Sequence, residues 1–331
     1  MAARFKAIVV SEEQGRFVRH IAPRSLLDLP EGEVLIRVRF SSLNYKDAMS
    51  ATGHRGVTRQ YPHTPGIDAA GIVEESSSPL FGRGDEVVVH GFELGANIPG
   101  GWGGYVRVPA AWVMKLPAGL TLRESMIVGT AGFTAALSLE RLQVVGLDRR
   151  SGPVLVTGAT GGVGSLAVSI LAKSGYEVIA ATGKPEQEEY LRRLGAASVI
   201  LRKDLADAPG RALLHSRWAG AIDTAGGEIL ASVLKGVRYG GAVAACGMAA
   251  SPELRMTVYP FILRSVSLLG IDTANCPMKT RKLIWEKLAG SWKPDTLETV
   301  VTECALDDVE PRIAQALQGR LVGRVLIAHG R

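Results

Sequence analysis

The 331-residue sequence has few cysteines and no long hydrophobic run. Its three cysteines, Cys246, Cys276 and Cys304, form no C-x-x-C pair, which argues against a disulfide framework or a structural zinc lobe and favours a reducing cytoplasm. The longest apolar runs, such as GPVLVTGA, fall well short of the roughly 18 to 20 residues that a membrane span needs. The opening MAARFKAIVV already has a strand pattern, so we expect an untargeted cytoplasmic protein.

The sequence also lacks a concentrated block of one charge. Lys and Arg number 38 against 32 Asp and Glu, which gives a formal net charge of +6 and suits anionic ligands such as phosphates, coenzyme A or nucleic acid. Because the basic residues are dispersed, we expect no nucleic-acid partner. The length and the 47% hydrophobic content are typical of a globular protein with two domains.

Two kinds of pattern divide the chain. Up to about residue 120, short strand-like segments such as FKAIVV, GEVLIRVRF and GDEVVVH predict an all-β or barrel-like unit. TLRESMIVGTAGFTAALSLERLQ then has helical spacing, with Thr121 as the expected N-cap. Beyond it, buried-looking strands alternate with amphipathic helices, a pattern that is typical of a doubly wound parallel sheet.

The strongest mechanistic signal is a glycine-rich turn in VLVTGATGGVGSLAVSILAKSGYEVIAAT. A strand that ends at Thr157 leads through the turn into a helix, and a second strand follows. The turn contains four glycines, namely Gly158, Gly161, Gly162 and Gly164. Glycines there permit a tight turn and let the backbone approach a pyrophosphate at the helix N-terminus. Although Ala159 interrupts the strict G-x-G-x-x-G pattern, the β-α-β context predicts dinucleotide binding.

No acidic residue stands about 20 residues beyond this turn, where an NAD site would place Asp or Glu on the ribose 2′-hydroxyl. The sequence there is AATGKPEQ, with Thr182, Gly183 and Lys184. A hydroxyl, a backbone N–H and an ammonium group suit a 2′-phosphate, and Arg202 follows the next strand. We therefore predict NADPH as the cofactor; the alternative for Lys184 is a solvated loop residue.

Motifs along nearly the whole chain are similar to those of one family. They are SSLNYKDAMSATG, PHTPGIDAAGIVEE, GRGDEVVVHG, IVGTAGFTAALS, TGATGGVGS, WAGAIDTAGG and PFILRSVSLLGID. In this order they resemble the zinc-free medium-chain reductases, and SSLNYKDA, GTAGFTA and PFILR resemble the NADPH-dependent acryloyl-CoA reductase group, historically placed with the quinone oxidoreductases. The resemblance implies an α/β fold in which a GroES-like β-barrel catalytic domain, residues 1–124 and 272–331, is interrupted by a doubly wound Rossmann NADPH-binding domain with a parallel sheet, residues 125–271.

The resemblance also implies which residues contact NADPH. They are Tyr45, Thr160, Gly161, Gly162, Val163, Thr182, Gly183, Lys184, Arg202, Met248, Ile262, Thr273 and Gly319. Members of the family often have Ser-Gly-Arg at positions 182–184, and lysine replaces the planar guanidinium by a point charge, so we expect a looser contact with the 2′-phosphate. A homodimer in which the SVSLLGID edge strand pairs with its copy is implied by the same resemblance.

Metal ligands are missing from the segment YPHTPGIDAAG. Zinc-dependent relatives have Gly-His-Glu where this chain has Gly66, Ile67 and Asp68, and the upstream SSLNYKD contains no cysteine. His63 stands alone, whereas a catalytic zinc needs about three protein ligands, so we expect no catalytic metal. Without a Lewis acid, a conjugated thioester is a better substrate than a ketone or an alcohol, because hydride addition spreads charge onto an oxygen that hydrogen bonds can stabilise.

LNYKD is the predicted catalytic segment. Asn44 and Tyr45 are expected to face the nicotinamide and the carbonyl, with Lys46 and Asp47 nearby. Since the ordinary pKa of tyrosine is about 10, Tyr45 would act as a hydrogen-bond donor first and as an acid second. A tyrosine or water delivers the final proton to the α-carbon. The alternative for Tyr45 is an aromatic packing residue.

For three further residues the sequence allows both a functional and a structural role. Asp68 is either a buried supporting group of the site or purely structural. Arg264 and Arg324 either bind the phosphates of coenzyme A or form structural salt bridges, and the structural interpretation is favoured for both.

The predicted function is NADPH-dependent reduction of a small 2-enoyl-CoA, with acryloyl-CoA to propanoyl-CoA foremost. A quinone oxidoreductase, with the same fold and cofactor, is the alternative within the enzymes. A protein that binds NADPH or RNA without catalysis is the alternative from another class.

Overall fold

The structure, a computed structural model, describes residues 3–205 and 210–330. The chain forms two compact units: residues 1–130, 274–289 and 301–331 make the first, and residues 131–273 and 290–300 make the second. Segment 290–300, which we expected in the first unit, packs with the second. There, Lys173 Nζ lies 2.6 Å from Asp295 Oδ2, and Thr296 Oγ1 lies 2.9 Å from Ser169 Oγ.

The described residues contain strands and helices over the whole chain. The strands are β1 (Arg4–Glu13), β2 (Arg16–Ser25), β3 (Val34–Leu43), β4 (Asp68–Ser76), β5 (Glu86–His90), β6 (Tyr105–Val108), β7 (Met114–Lys115), β8 (Val154–Val156), β9 (Val178–Thr182), β10 (Ser198–Leu201), β11 (Trp218–Asp223), β12 (Val237–Ala245), β13 (Ser267–Gly270), β14 (Val301–Ala305) and β15 (Arg324–Ala328). The helices are α1 (Tyr45–Ala51), α2 (Leu122–Val144), α3 (Gly162–Lys173), α4 (Glu188–Arg193), α5 (Gly227–Lys235), α6 (Tyr259–Arg264), α7 (Met278–Ala289), α8 (Leu297–Val300) and α9 (Glu310–Leu317). Among these helices, none combines the length and the apolar character needed to cross a membrane.

The first unit is built on a mainly antiparallel sheet. Its described strands run in the order β14-β15-β3-β4-β5-β7, and β6 also pairs with β3. Alternating apolar residues of β3, β4 and β5 fill the interior, among them Val34, Ile36, Val73 and Val87. The last strand, β15, pairs antiparallel with β3, with Val325 opposite Leu43, so the chain end returns to the first unit as the resemblance implied.

The second unit contains a sheet of described strands in the order β10-β9-β8-β11-β12-β13, and every pairing in it is parallel. This confirms the predicted doubly wound sheet. The strand order reverses between β8 and β11, and ligands of such sheets bind at the carboxyl ends of the strands beside this reversal. The glycine-rich turn follows β8, so the topology puts it where a dinucleotide binds.

Thr121 begins α2 as the sequence predicted. The backbone N–H of Glu124 donates to Thr121 Oγ1 at 3.1 Å, and the Glu124 carboxylate accepts from the backbone N–H of Thr121 at 2.9 Å. This reciprocal pair is a capping box, which satisfies two of the donors that a helix N-terminus leaves open. Within α2, Gly129 has φ +47 and ψ −158, so the helix is broken at this residue.

The backbone of the loop YPHTPGIDAAG packs directly against the backbone of Gly95 and Trp102. Gly66 has φ +112, and a Cβ atom there would lie 2.6 Å from the nitrogen of Trp102. A Cβ atom on Gly95 would lie 2.3 Å from the carbonyl carbon of Gly66. Both distances are shorter than any tolerated contact, so only glycine fits at these positions. The loop before β4 is therefore closely packed by its neighbours.

Candidate active site

The predicted catalytic segment begins helix α1. Asn44 precedes the helix in an extended conformation, and Asp47, three residues on, accepts from the Asn44 backbone N–H at 2.7 Å. Tyr45 is the first helical residue, and its side chain is 53% exposed. Its hydroxyl has no hydrogen-bond partner within residues 3–205 and 210–330. The helix start therefore presents a tyrosine hydroxyl that is available to a ligand.

Asp68, whose role the sequence left open, is the centre of a buried polar cluster. Its Oδ2 accepts hydrogen bonds from Asn44 Nδ2 at 2.8 Å and from the hydroxyl of Ser42. Its Oδ1 accepts from Thr130 Oγ1 at 2.6 Å, and the Thr130 backbone N–H lies 3.0 Å from both carboxylate oxygens. The carboxylate is fully buried. Four donor atoms thus replace the water that a buried charge loses.

Gly129 is the residue that lets α2 reach Asp68. A Cβ atom on Gly129 would lie 2.6 Å from Asp68 Oδ2 and 2.9 Å from Arg324 Nη2, so any side chain would collide with this cluster. The break at Gly129 also leaves the backbone N–H of Thr130 directed at the carboxylate. The GTAGF motif therefore carries a physical signal: its first glycine brings a new helix start onto a buried anion.

Arg324 is the cation of the cluster. It is 2% exposed and donates from Nε to Ile127 O at 3.0 Å and from Nη1 to Asn44 Oδ1 at 3.1 Å. Its Nη2 lies 3.8 Å from Asp68 Oδ2 and has no hydrogen-bond acceptor among the described residues. Burial lowers the Arg324 pKa, and the charge of Asp68 opposes that effect. This burial excludes the alternative that Arg324 binds a phosphate of coenzyme A.

Arg264 is also structural. Its guanidinium donates to the carbonyl oxygens of Lys235 at 2.9 Å and Leu214 at 2.6 Å. It therefore fixes the end of α5 and a preceding loop. This is the interpretation that the sequence favoured over a phosphate contact.

The Asn44 side chain is engaged at both ends. Its Oδ1 accepts from Arg324, and its Nδ2 donates to Asp68 at 2.8 Å and lies 3.1 Å from Asp47 Oδ2. The prediction had both Asn44 and Tyr45 facing the substrate. In the structure the amide of Asn44 faces the buried cluster, whereas the hydroxyl of Tyr45 has no protein partner among the described residues.

Asp47 is a second buried carboxylate beside Asp68. Its Oδ1 accepts from the backbone N–H of Ile67 at 2.8 Å, so the residue that stands in place of a zinc ligand contributes through its main chain. Burial, followed by repulsion from Asp68, raises the pKa of Asp47 to about 7. The physical reason is that the charged carboxylate loses its hydration on burial, and the nearby charge of Asp68 adds to this cost.

The second unit assembles most of the predicted cofactor contacts along one edge of its sheet. Thr160, Gly161, Gly162 and Val163 follow β8, Thr182, Gly183 and Lys184 close β9, and Arg202 follows β10. Gly161 caps α3 without a side-chain hydrogen bond, which leaves the first N–H groups of the helix for an anion. A Cβ atom on Gly164 would lie 2.2 Å from Gly158 O, so glycine is required for this turn. This cradle fits a pyrophosphate.

The basic residues expected at the 2′-phosphate also come together. The guanidinium of Arg202 lies over Gly183, with Cζ 3.3 Å from the position that a Cβ atom would occupy. Thr182 Oγ1 accepts from the backbone N–H of Lys184 at 3.0 Å, and burial lowers the pKa of Lys184. The structure thus joins the 182–184 segment to Arg202, although they are about 20 residues apart in sequence.

The remaining predicted contacts are scattered. Met248 follows β12 and is 59% exposed, and Ile262 lies on α6 and is 71% exposed. Thr273 ends the first segment of the second unit. Tyr45 and Gly319 belong to the first unit, and Gly319 follows α9 with φ +66. Their contact with a cofactor stays a prediction.

Together, the antiparallel unit with its returning strand and the parallel unit with its glycine-rich turn define a medium-chain dehydrogenase/reductase fold. The alcohol dehydrogenase GroES-like domain matches residues 30–118, and the zinc-binding dehydrogenase family matches residues 162–289. These matches confirm the predicted GroES-like and Rossmann architecture.

Two curated proteins are similar to this chain over nearly its full length. The chain is 46% identical to the putative quinone oxidoreductase YhfP of Bacillus subtilis over 99% of both chains, and 45% identical to the acrylyl-CoA reductase AcuI of Ruegeria pomeroyi over 98% of both. Among solved structures it resembles B. subtilis YhfP with NAD bound (46% identity, 99% of this chain and 100% of that one, TM-score 0.97) and the YhdH oxidoreductase of Salmonella enterica in complex with NADP (40%, 98% and 100%, TM-score 0.95). The chain therefore belongs to the medium-chain dehydrogenase/reductase family, with the acrylyl-CoA reductase and YhfP-like members.

The residues do not fit the zinc that the name of the matched family implies. No group of three or more His, Cys, Asp or Glu in the described parts of the chain is arranged to hold a metal ion. His63 Nε2 lies 3.0 Å from Gly95 O, and burial lowers the His63 pKa, so the neutral ring donates to a carbonyl. The two carboxylates of this region are instead used internally: Asp47 accepts from the backbone N–H of Ile67, and Asp68 accepts from Ser42, Asn44 and Thr130.

The pKa of Asp47 predicts a pH-dependent stability. In the folded protein this pKa, about 7, exceeds the ordinary value of 3.8, so between these pH values the folded protein holds one proton more than the unfolded chain. The stability from Asp47 is therefore fully present below about pH 4 and is lost as the pH rises through about 7, at up to about 1.4 kcal/mol per pH unit. Asp47→Asn removes the titrating group.

Urea unfolding of the native protein and the Asp47→Asn variant at several pH values tests this. We expect the difference in unfolding free energy, native minus variant, to fall between about pH 5 and pH 7 and to be constant above about pH 8. A difference that does not change with pH would contradict the raised pKa.

Proposed function

We propose that this NADPH-dependent oxidoreductase reduces the C=C bond of a small 2-enoyl-CoA, and that its substrate is acryloyl-CoA, which becomes propanoyl-CoA. The observation that carries the proposal is the hydroxyl of the exposed Tyr45 at the start of α1, a helix start that Asn44 ties to Asp47, Asp68 and Arg324. The 45% identity to an acrylyl-CoA reductase over nearly the full length supports it.

The chemistry matches a substrate that carries its own electron sink. NADPH, when bound, would supply a hydride to the β-carbon of the enoyl group. Negative charge then develops on the thioester oxygen, and we propose that the Tyr45 hydroxyl donates a hydrogen bond to it. Asn44 holds the start of α1 through Arg324, Asp47 and Asp68 and so positions Tyr45. A proton from a tyrosine or water completes the reaction at the α-carbon.

The proposed cofactor contacts form two groups, one for the pyrophosphate and one for the 2′-phosphate. Thr160, Gly161, Gly162 and Val163 hold the pyrophosphate on the N-terminus of α3, while Thr182, Gly183, Lys184 and Arg202 hold the 2′-phosphate. Tyr45, Met248, Ile262, Thr273 and Gly319 complete the set. Two cations at the 2′-phosphate position and no carboxylate among residues 182–184 support NADPH over NADH.

Quinone reduction is the second candidate, because a relative at 46% identity is named a putative quinone oxidoreductase. A quinone also accepts hydride without a metal, so the absence of zinc ligands does not separate the two reactions. A protein that binds NADPH or RNA without catalysis is less well supported, since it gives no reason for the Tyr45 and Asp68 arrangement.

A direct substrate comparison tests the proposal. NADPH oxidation is followed at equal concentrations of acryloyl-CoA, crotonyl-CoA and benzoquinone. We expect the highest kcat/KM with acryloyl-CoA, a lower value with crotonyl-CoA because of its extra methyl group, and the lowest value with benzoquinone. Faster turnover of benzoquinone without thioester reduction would overturn the proposal in favour of the second candidate.

The role of Tyr45 is tested by Tyr45→Phe, which keeps the ring and removes only the hydroxyl. Loss of one oxyanion hydrogen bond lowers kcat by about 10²-fold to 10³-fold in other enzymes, so we expect a fall of at least about tenfold in kcat with acryloyl-CoA. Because phenylalanine keeps the ring through which Tyr45 can contact the cofactor, the Kd for NADPH should change less than kcat does. The matched control is Tyr239→Phe, which makes the same change at an exposed tyrosine that lies in the second unit. An unchanged kcat in Tyr45→Phe would assign Tyr45 to packing.

We further propose a homodimer through strand β13. This strand is the edge of the second unit's sheet, and exposed apolar side chains lie on and before it, among them Tyr259, Ile262, Leu263 and Leu268. An open edge with apolar neighbours favours pairing with another strand. Small-angle scattering should give twice the chain mass of 35.1 kDa. A mass of one chain would refute the dimer.

We also propose a cytoplasmic location. All three cysteines, Cys246, Cys276 and Cys304, are free thiols, which suits a reducing compartment. Cell fractionation that recovers the protein outside the cytoplasm would contradict this.

A further inference from the structure

Asp223 joins three loops at the cofactor edge of the second unit. Its Oδ1 accepts from Thr157 Oγ1 at 2.7 Å, which ties it to the end of β8. Its Oδ2 accepts from the backbone N–H of Gly226 at 2.7 Å in its own loop. Its carbonyl oxygen accepts from the backbone N–H of Cys246 at 2.9 Å, at the end of β12. One residue therefore links the carboxyl ends of β8, β11 and β12.

Thr224 reinforces these links. Its backbone N–H donates to Thr157 Oγ1 at 3.0 Å, and its Oγ1 donates to the Thr157 carbonyl at 2.9 Å. A Cβ atom on Gly158 would lie 2.3 Å from Thr224 Oγ1, and one on Gly247 would lie 2.3 Å from Thr224 O. The loop after β11 is thus packed between the glycine-rich turn and the loop that carries Met248.

The Asp223 carboxylate is held by hydrogen bonds and not by an ion pair among the described residues. The residue is fully buried, and no Lys or Arg pairs with it in the described part of the chain. Burial raises its pKa, because the charged form loses water. A buried carboxylate without a cation is costly unless hydrogen bonds replace its lost hydration, and here Thr157 and Gly226 supply them. A buried, unpaired carboxylate that accepts from two separate loops is therefore suited to fixing where those loops lie.

We propose that Thr157, Asp223 and Thr224, the Asp223 latch, are positioning residues for NADPH. They hold the glycine-rich turn, which receives the pyrophosphate, in register with the loop of Met248, a predicted cofactor contact. The latch residues act through these loops. The inference depends on NADPH binding and not on the identity of the enoyl substrate, so it can be tested separately from the proposed reaction.

Thr157→Val tests the latch by removing the hydroxyl at nearly constant volume. It eliminates the bond to Asp223 and the acceptor for the Thr224 N–H. We expect the Kd for NADPH to rise about tenfold, because NADPH must then order a turn that these two bonds no longer hold. Thr157→Ser keeps the hydroxyl, so we expect its Kd to stay within about twofold of the native value. Isothermal titration of the full-length protein with NADPH measures all variants.

The matched control is Thr296→Val, which removes a hydroxyl that bonds Ser169 in the same unit, on the far half of α3. The Kd of Thr296→Val for NADPH should equal that of the native protein, even if its melting temperature falls as much as that of Thr157→Val. A second latch variant, Thr224→Val, changes a partly exposed residue and should also raise the Kd. Native Kd values in both latch variants, or an equal rise in Thr296→Val, would overturn the proposal.

Discussion

The buried carboxylate of Asp68 is the constraint around which the first unit is arranged. It begins β4 and receives donors from Ser42 on β3, Asn44 before α1 and Thr130 in α2, while Arg324 of β15 lies beside it. Ser42, Asn44 and Thr130 supply the donors that offset its lost hydration, and Arg324 supplies the opposite charge. The break in α2, the return of the chain end and the cap of α1 all follow from this requirement.

The same cluster explains how a fold shared with zinc enzymes can serve the proposed reaction without zinc ligands at this position. Ile67 gives its backbone N–H to Asp47 instead of a side-chain ligand to a metal, and Gly66 lets the loop pack against Trp102. Hydrogen bonds from Asn44 and Ile67 hold the two carboxylates, and the exposed Tyr45 follows Asn44 at the start of α1. Under the proposed function, a tyrosine hydroxyl suffices because the enoyl thioester delocalises the charge that a metal would otherwise stabilise.

Sequence patterns predicted the parallel sheet, the cap at Thr121 and the glycine-rich turn, because each depends on residues that are near in sequence and on a fixed period. The absence of an acidic residue after β9 predicted a site for the 2′-phosphate of NADPH, and in the structure the guanidinium of Arg202 lies over Gly183. The Asp68 cluster was not predictable in this way. Ser42, Thr130 and Arg324 are separated by up to hundreds of residues, and an arginine near the chain end has the same appearance whether it is buried or exposed. Gly129 gave a local signal in GTAGF, but helical periodicity concealed the break.

The two buried carboxylates near α1 also bear on the proposed reaction. Asp68 is balanced by Arg324, whereas Asp47, two residues after Tyr45, changes between neutral and charged at about pH 7. A charged Asp47 gives this cluster a net negative charge, which opposes negative charge on a substrate oxygen near Tyr45. A neutral Asp47 removes that opposition. Burial of Asp47, reinforced by repulsion from Asp68, therefore keeps this cluster closer to neutral, which under the proposed function favours formation of an enolate near Tyr45.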